Sequence, residues 1–90
     1  MKNLLHVEDD QLWKELFAEM AGDLGINLRQ FSSKEAALAA IKETRPDIVI
    51  TDLHLGKGDQ SGYAIAKAAK EAGVSNITIA SETGTPSQQI

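Results

Sequence analysis

The stretch Pro46-Asp-Ile-Val-Ile-Thr-Asp-Leu53 decides the fold, because it has the pattern of a buried strand that ends in an acid. Pro46 prevents the preceding helix from continuing, and the β-branched run at 48–50 favours extended backbone. A continuous apolar run of this length is typical of a strand in a parallel sheet. We therefore predict a strand over 47–53 that is buried on both faces and carries Asp52 near its end.

Strand and helix patterns alternate on either side of this segment. Further strands are predicted at 4–7, 26–31 and 76–81, with helices between Asp10 and Gly25, between Ser32 and Pro46, and over 63–72. Residues 54–62 contain three glycines and no periodicity, so we expect a loop there. The predicted fold class is α/β, a three-layer, doubly wound parallel sheet with helices on both faces. Residues 3–82 form one domain in this interpretation, and 83–90 form a flexible tail.

The first helix has the clearest apolar periodicity in the sequence. Apolar residues recur in it at spacings of three and four, which predicts an amphipathic helix. Those expected in the core include Trp13, Phe17, Met20 and Leu24. Asp9 or Asp10 is expected to cap its start and Gly25 to end it, while Ser32 and Glu35 form a predicted capping box for the second helix.

Composition and charge limit the functional classes. The chain has 90 residues, no cysteine and a net charge of −4. Disulfides and thiolate chemistry are therefore excluded, and broad binding to nucleic-acid phosphates is disfavoured. No apolar run approaches the roughly 20 residues that span a bilayer. We expect a cytoplasmic protein whose partners are neither nucleic acid nor membrane.

Acidic residues follow two of the predicted strands. Glu8, Asp9 and Asp10 come directly after the first strand, and Asp52 lies near the end of the third. If the first strand lies between the second and the third, these acids meet at the carboxyl edge of the sheet, where open α/β folds bind ligands. Carboxylates gathered at one crevice suit Mg²⁺, and a phosphate can complete its shell. Each acid taken alone also has a purely structural interpretation, as a helix cap or a dipole partner.

Other polar residues have two interpretations at this stage. Ser81, at the end of the fourth strand, can donate a hydrogen bond to a phosphoryl oxygen or simply cap the strand. His6 is expected to be packed and hydrogen-bonded inside its strand, and His54 to lie in the loop. Neither histidine has a second one at metal-ligand spacing, and the glycines at 56, 58 and 62 do not form a phosphate-binding loop.

Four stretches together resemble the receiver domain of two-component response regulators. They are Leu4-Leu-His-Val-Glu-Asp-Asp10, Phe31-Ser-Ser-Lys-Glu-Ala-Ala-Leu38, Pro46-Asp-Ile-Val-Ile-Thr-Asp-Leu53 and Ile77-Thr-Ile-Ala-Ser81. The resemblance implies a flavodoxin-like sheet with strand order 2-1-3-4. It also implies that Asp52 is the phosphoacceptor, that Glu8 and Asp9 hold Mg²⁺ with the backbone carbonyl of His54, and that Ser81 binds the phosphoryl group. The implied partner is a histidine kinase or a phosphotransfer protein, whose phosphohistidine is the donor.

The chain departs from the receiver pattern after its fourth strand. In residues 1–90 we expect no counterpart of the fourth helix, of the fifth strand with its lysine, or of the fifth helix. Lys57, in the loop, is not placed by the sequence in the role of that lysine. With the fifth strand missing, strand four would be an open edge and the first helix alone would cover its face of the sheet. Exposed apolar surface and open edges invite pairing, so we predict a homodimer formed by edge pairing, strand exchange or packing across the uncovered face.

Two functional hypotheses remain open at this stage. In the first, the chain is a receiver that accepts a phosphoryl group at Asp52, with enzymatic activity limited to its own phosphorylation and dephosphorylation. In the second, it is a receiver-like interaction or dimerisation module that is not phosphorylated. A magnesium-dependent phosphatase with an Asp-x-Asp nucleophile is disfavoured, because His54 stands where the second acid is required.

Overall fold

The structure is an α/β sandwich in which helices lie on both faces of a central sheet. It is a computed structural model that describes residues 2–52, 61–80 and 88–89. The elements in chain order are β1 (Asn3–Val7), α1 (Gln11–Leu24), β2 (Asn27–Phe31), α2 (Lys34–Glu43), β3 (Ile48–Asp52), α3 (Ser61–Glu71), β4 (Asn76–Ala80) and β5 (Gln88–Gln89). No helix among the described residues has the length and apolarity that a bilayer crossing requires.

The sheet has the strand order β2-β1-β3-β4-β5 in the described part of the chain. Strands β1 to β4 are parallel, which confirms the predicted order 2-1-3-4 and the flavodoxin-like class. The short strand β5 was not predicted. It runs antiparallel to β4 and pairs Gln89 with Thr78 and Gln88 with Ile79. The expectation of an open β4 edge is therefore corrected at these two positions.

The well-packed core lies between the sheet and helices α2 and α3. Strands contribute alternate apolar residues to it, since successive side chains of a strand point to opposite faces. Helices α2 and α3 approach this face mostly with alanines, whose small side chains allow close contact. The buried cluster consists of Leu5, Val7, Val49, Ile77 and Ile79 from the strands, Ala37, Ala40, Ile41, Ile65, Ala66 and Ala69 from the helices, and Val74.

The opposite face of the sheet is only partly covered. Helix α1 packs on this face against β2, and its one buried residue is Ala21. The prediction that the apolar residues of α1 form core is wrong for Trp13, Met20 and Leu24, which are 56%, 54% and 70% exposed. Periodicity shows that one side of a helix is apolar, but it does not show that another element covers that side.

Two smaller expectations also change. The prediction that β3 is buried on both faces is wrong for Ile48 and Ile50, which face the open side and are half-buried. The side chain that caps α2 is Ser33, which accepts a hydrogen bond from the N–H of Ala36, rather than Ser32. Helix α3 begins at Ser61, inside the predicted loop, while residues 53–60 lie outside the described ranges.

Candidate functional site: three carboxylates at the strand ends

Three carboxylates meet at the carboxyl edge of the sheet. Glu8 and Asp9 follow β1, and Asp52 is the last residue of the neighbouring strand β3. One oxygen from each of these side chains lies within 4.8 Å of the others. Asp52 is 3% exposed, Glu8 is half-buried and Asp9 is exposed. The predicted convergence of acids from the first and third strands is present because both strands are parallel neighbours.

The fourth acid has a different role. The carboxylate of Asp10 accepts hydrogen bonds from the backbone N–H groups of Leu12 and Trp13 at 2.9 and 3.3 Å, so Asp10 is the N-cap of α1. Its own N–H donates to Oε2 of Glu8 at 3.2 Å. Of the two caps that the sequence left open, Asp10 is the one used. Asp9 therefore remains available to the cluster.

The chain on both sides of the cluster is anchored to the sheet. The backbone N–H of Glu8 donates to the carbonyl oxygen of Phe31 at 2.9 Å, which extends the β1–β2 ladder by one bond. Asp52 is paired in register with Ala80 of β4. The hydroxyl of Thr51 donates to the carbonyl oxygen of Asp52 at 2.9 Å. Glu8 and Asp52 are thus positioned by hydrogen bonds of the sheet.

The electrostatics of the cluster favour a bound cation. Burial raises the pKa of the Glu8 carboxyl, and the negative charges of Asp9 and Asp10 raise it further. Hydrogen bonds from the N–H of Asp10 and with the side chain of Asp52 act in the opposite direction but do not cancel the rise in this pKa. A nearby positive charge would stabilise the ionised form.

The donor set fits Mg²⁺ in kind and in spacing. Hard carboxylate oxygens are its preferred protein ligands, and its bonds to oxygen are about 2.1 Å long, so that opposite ligands of one ion lie about 4.2 Å apart. At most one pair among three ligands can be opposite, and adjacent ligands of such an ion lie about 3.0 Å apart. The oxygens of Glu8, Asp9 and Asp52, which lie within 4.8 Å of one another, would therefore draw closer together around a bound ion. Small side-chain rotations would bring all three onto one ion.

The remaining predicted site residues are not described. His54 and Ser81 lie outside the described ranges, so their assigned roles stay predictions. Lys57, to which the sequence gave no role, also lies outside them. His6 is 2% exposed and 3.1 Å from the side-chain nitrogen of Gln30, which confirms it as a packed, hydrogen-bonded histidine. The sequence analysis gave no role to Gln30, because the sequence of a strand does not show which groups a glutamine amide will hydrogen-bond.

Comparison with protein families identifies the class. The family model of the response regulator receiver domain matches residues 4–89. The chain therefore belongs to the response regulator receiver domain family, which acts in two-component, phosphorelay signalling. Receiver domains generally bind Mg²⁺ for phosphorylation, and their family implies histidine kinases or phosphotransfer proteins as partners. The search of curated protein sequences finds no match.

Several solved structures share the fold. The receiver domain of HemR from Leptospira biflexa superposes with a TM-score of 0.77 at 20% identity, over 96% of this chain and 68% of that one. The N-terminal domain of a response regulator/sensory box/GGDEF 3-domain protein from Carboxydothermus hydrogenoformans gives 0.80 at 22% identity, over 94% and 68%. The response regulator PhyR from Brucella abortus gives 0.76 at 20% identity, over 87% and 32%. The chain thus spans between 32% and 68% of the length of these structures.

Proposed function

We propose that this domain accepts a phosphoryl group on Asp52 from a phosphohistidine of a histidine kinase or phosphotransfer protein. The observation that carries the proposal is the convergence of Glu8, Asp9 and Asp52 at one edge of the sheet. In this proposal the three carboxylates and the backbone carbonyl of His54 hold Mg²⁺, and the hydroxyl of Ser81 binds a phosphoryl oxygen. The reaction is placed in the cytoplasm, in keeping with a chain that has no cysteine.

Asp52 is the nucleophile in this reaction. A carboxylate oxygen of Asp52 forms a bond to phosphorus as the phosphorus–nitrogen bond of the donor breaks, and the departing imidazole keeps the bonding electron pair and takes up a proton. Strand β3 holds the Asp52 carboxylate in place. Because Asp52 is buried, few water molecules can reach this carboxylate. A magnesium ion held by these carboxylates would supply positive charge that neutralises the entering phosphoryl oxygens. Glu8 and Asp9 fix that charge beside the nucleophile.

Phosphorylation by a small donor tests this proposal. The protein is incubated with acetyl phosphate or phosphoramidate and Mg²⁺, and intact mass is measured. We expect one added phosphoryl group in the wild type and none in Asp52→Asn or when Mg²⁺ is removed by chelation. Asp23→Asn is the matched control, because Asp23 is an exposed acid at the far end of α1 and should leave the modification unchanged. An unmodified wild-type protein would contradict the proposal.

A second candidate function, a receiver-like module that dimerises without phosphorylation, is favoured by the surface of α1. Five exposed apolar residues form what we call the α1 stripe: Leu12, Trp13, Leu16, Met20 and Leu24. Contiguous apolar patches of this kind mark interaction surfaces. Because β5 pairs with part of the β4 edge, we propose that a homodimer forms by packing across the stripe and the adjoining sheet residues Ile48 and Ile50.

Light scattering at tens of micromolar protein tests the dimer. We expect a dimer that Leu16→Lys converts to monomer and that Tyr63→Ser, a change of an exposed residue on α3, leaves intact. Glu15, Glu19 and Asp23 form an exposed acidic row beside the stripe, so like charges oppose the approach of two copies. Salt screens this repulsion, and dimerisation should strengthen as ionic strength rises. A monomer at every salt concentration would rule the dimer out.

A further inference from the structure

A half-buried glutamine ties helix α1 to the two strands beneath it. The side-chain nitrogen of Gln30, in β2, donates a hydrogen bond to the carbonyl oxygen of Lys14 at 2.7 Å. The same nitrogen lies 3.1 Å from Nδ1 of His6, which is opposite Gln30 in the β1–β2 ladder. Lys14 ends the first turn of α1. One side chain therefore joins β2, β1 and the start of the helix.

The two contacts fix the orientation of the Gln30 amide. A backbone carbonyl only accepts hydrogen bonds, so the group that faces Lys14 must be the NH₂ and not the amide oxygen. The second hydrogen of that NH₂ is directed at Nδ1 of His6, which therefore carries no proton, and the imidazole is the Nε2–H tautomer. The His6 ring is held in turn by stacking on Phe17 of α1, with ring centroids 3.9 Å apart.

Helix α1 has few other attachments among the described residues. Its apolar stripe is exposed and Ala21 is its one buried residue. It packs mainly against β2, with the stack of Phe17 on His6 as its contact to β1. The ammonium group of Lys14 donates to the hydroxyl of Ser32 at 2.7 Å, but both groups are exposed, so water competes for that bond. The Gln30 amide is part-buried, and its loss would leave the Lys14 carbonyl without this second donor.

We propose that Gln30 is a positioning residue for the acidic site, because it holds the first turn of α1 and thereby keeps the Asp9 carboxylate within reach of a cation shared with Glu8 and Asp52. Asp9 lies between the sheet-anchored Glu8 and the helix cap Asp10, so its position depends on where α1 begins. Glu8 and Asp52 are anchored by strands and do not depend on Gln30. This inference rests on the proposed magnesium site.

Magnesium affinity in Gln30→Met tests the inference, since methionine has a similar length and no donor. We expect the dissociation constant for Mg²⁺, followed by Trp13 fluorescence or calorimetry, to rise about tenfold in this variant, the factor that corresponds to about 1.4 kcal/mol. Gln11→Met is the matched control. The exposed side chain of Gln11 makes no hydrogen bond to the described part of the chain, so its variant should stay within twofold of the wild type.

A double-mutant cycle separates positioning of Asp9 from general loosening of the fold. If Gln30 acts through Asp9, then Gln30→Met should weaken Mg²⁺ binding in the wild type but have little further effect in an Asp9→Asn background. In a Glu8→Gln background, Gln30→Met should still raise the dissociation constant for Mg²⁺ by about tenfold. Equal effects in both backgrounds would overturn the inference, and so would a folded Gln30→Met protein that binds Mg²⁺ as the wild type does.

His6→Phe serves as a second variant if Gln30→Met does not fold. It keeps an aromatic ring against Phe17 and removes the Nδ1 acceptor together with the Nε2–H group. A rise of about threefold in the dissociation constant is expected, and an unchanged value counts against the positioning role of Gln30. Amide hydrogen exchange in the first turn of α1 gives a readout that needs no metal. If the wild type binds no Mg²⁺, the proposed function fails. If amide hydrogen exchange in the first turn of α1 is unchanged in both Gln30→Met and His6→Phe, the positioning role of Gln30 is ruled out independently of the proposed function.

Discussion

The rings of His6 and Phe17 stack face to face, with centroids 3.9 Å apart and planes inclined by 22°. This contact joins β1 to α1 on the face of the sheet opposite the core cluster. Burial, and to a smaller degree the positive charge of Lys14, lowers the pKa of His6 from 6.5 to about 4. His6 is therefore neutral in the folded protein at physiological pH, as its hydrogen bond with Gln30 requires.

The lowered pKa of His6 makes stability depend on pH. Between pH 6.5 and about 4 the unfolded chain binds a proton at this residue that the folded chain does not, so the free energy of unfolding should fall as the pH falls through that window. We expect a loss on the order of 2 kcal/mol, measured by urea denaturation. Glu8, whose pKa is raised, acts in the opposite direction, because its folded form takes up a proton more readily than its unfolded form.

His6→Phe is the control for this pH dependence. It should remove the loss between pH 6.5 and 4 while leaving the contribution of Glu8 in place. A variant that loses as much stability as the wild type over that range would show that another group causes the effect.

Magnesium should stabilise the folded domain. The three carboxylates repel one another in the metal-free protein, and a cation bound only to the folded state raises the free energy of unfolding by about 1.4 kcal/mol at a concentration ten times its dissociation constant. Asp52→Asn should raise the midpoint temperature of unfolding in the absence of metal, because it removes one of the repelling charges. It should also largely abolish the rise in this midpoint on addition of Mg²⁺. Thermal unfolding with Mg²⁺ and with an equal ionic strength of NaCl measures both effects, and an equal response to the two salts would argue against a specific site.

Two glycines in and after α1 should respond to alanine in opposite ways. Gly22 lies inside the helix, and a Cβ there meets nothing within 4 Å, so Gly22→Ala should add about 0.5–1 kcal/mol of stability. Gly25 ends the helix in a left-handed conformation with φ of 69°, where alanine costs about 1 kcal/mol. Chemical denaturation of the pair measures the contrast, and a change of the same sign in both would contradict the described helix end.

Leucine-to-alanine substitutions on the two sides of the sheet should differ in how much they lower the free energy of unfolding. Leu5→Ala opens a cavity in the core beneath α2 and α3, and we expect it to cost about 2–5 kcal/mol. Leu12→Ala removes an exposed side chain of the α1 stripe, so its effect should stay within about 0.5 kcal/mol. Denaturation at a protein concentration below that of dimer formation makes this comparison. A costly Leu12→Ala would mean that the stripe is covered within one chain.

The sequence alone predicted most of the sheet. The apolar run of β3, the break at Pro46 and the alternation of strand and helix patterns gave the fold class, because local periodicity and crossover handedness leave few arrangements. The strand order, which the structure confirms, was implied by the resemblance to the receiver family. The acids after β1 and at the end of β3 were predicted to meet, since carboxyl ends of neighbouring parallel strands share one edge. A resemblance carried by four short stretches identified the family that the comparison confirmed.

Only the tertiary structure decided which apolar surfaces are covered and which polar groups meet. Helix α1 has the same periodicity whether its stripe is buried or exposed, so the exposure of Trp13 and Leu24 could not be read from spacing. The amide of Gln30 reaches a carbonyl 16 residues away in the chain, and β5 joins the edge of β4 although its residues have no strand pattern. Such contacts depend on how close the helices and strands lie to one another in the folded chain. The sequence pattern of a helix or strand shows only which of its sides are polar or apolar.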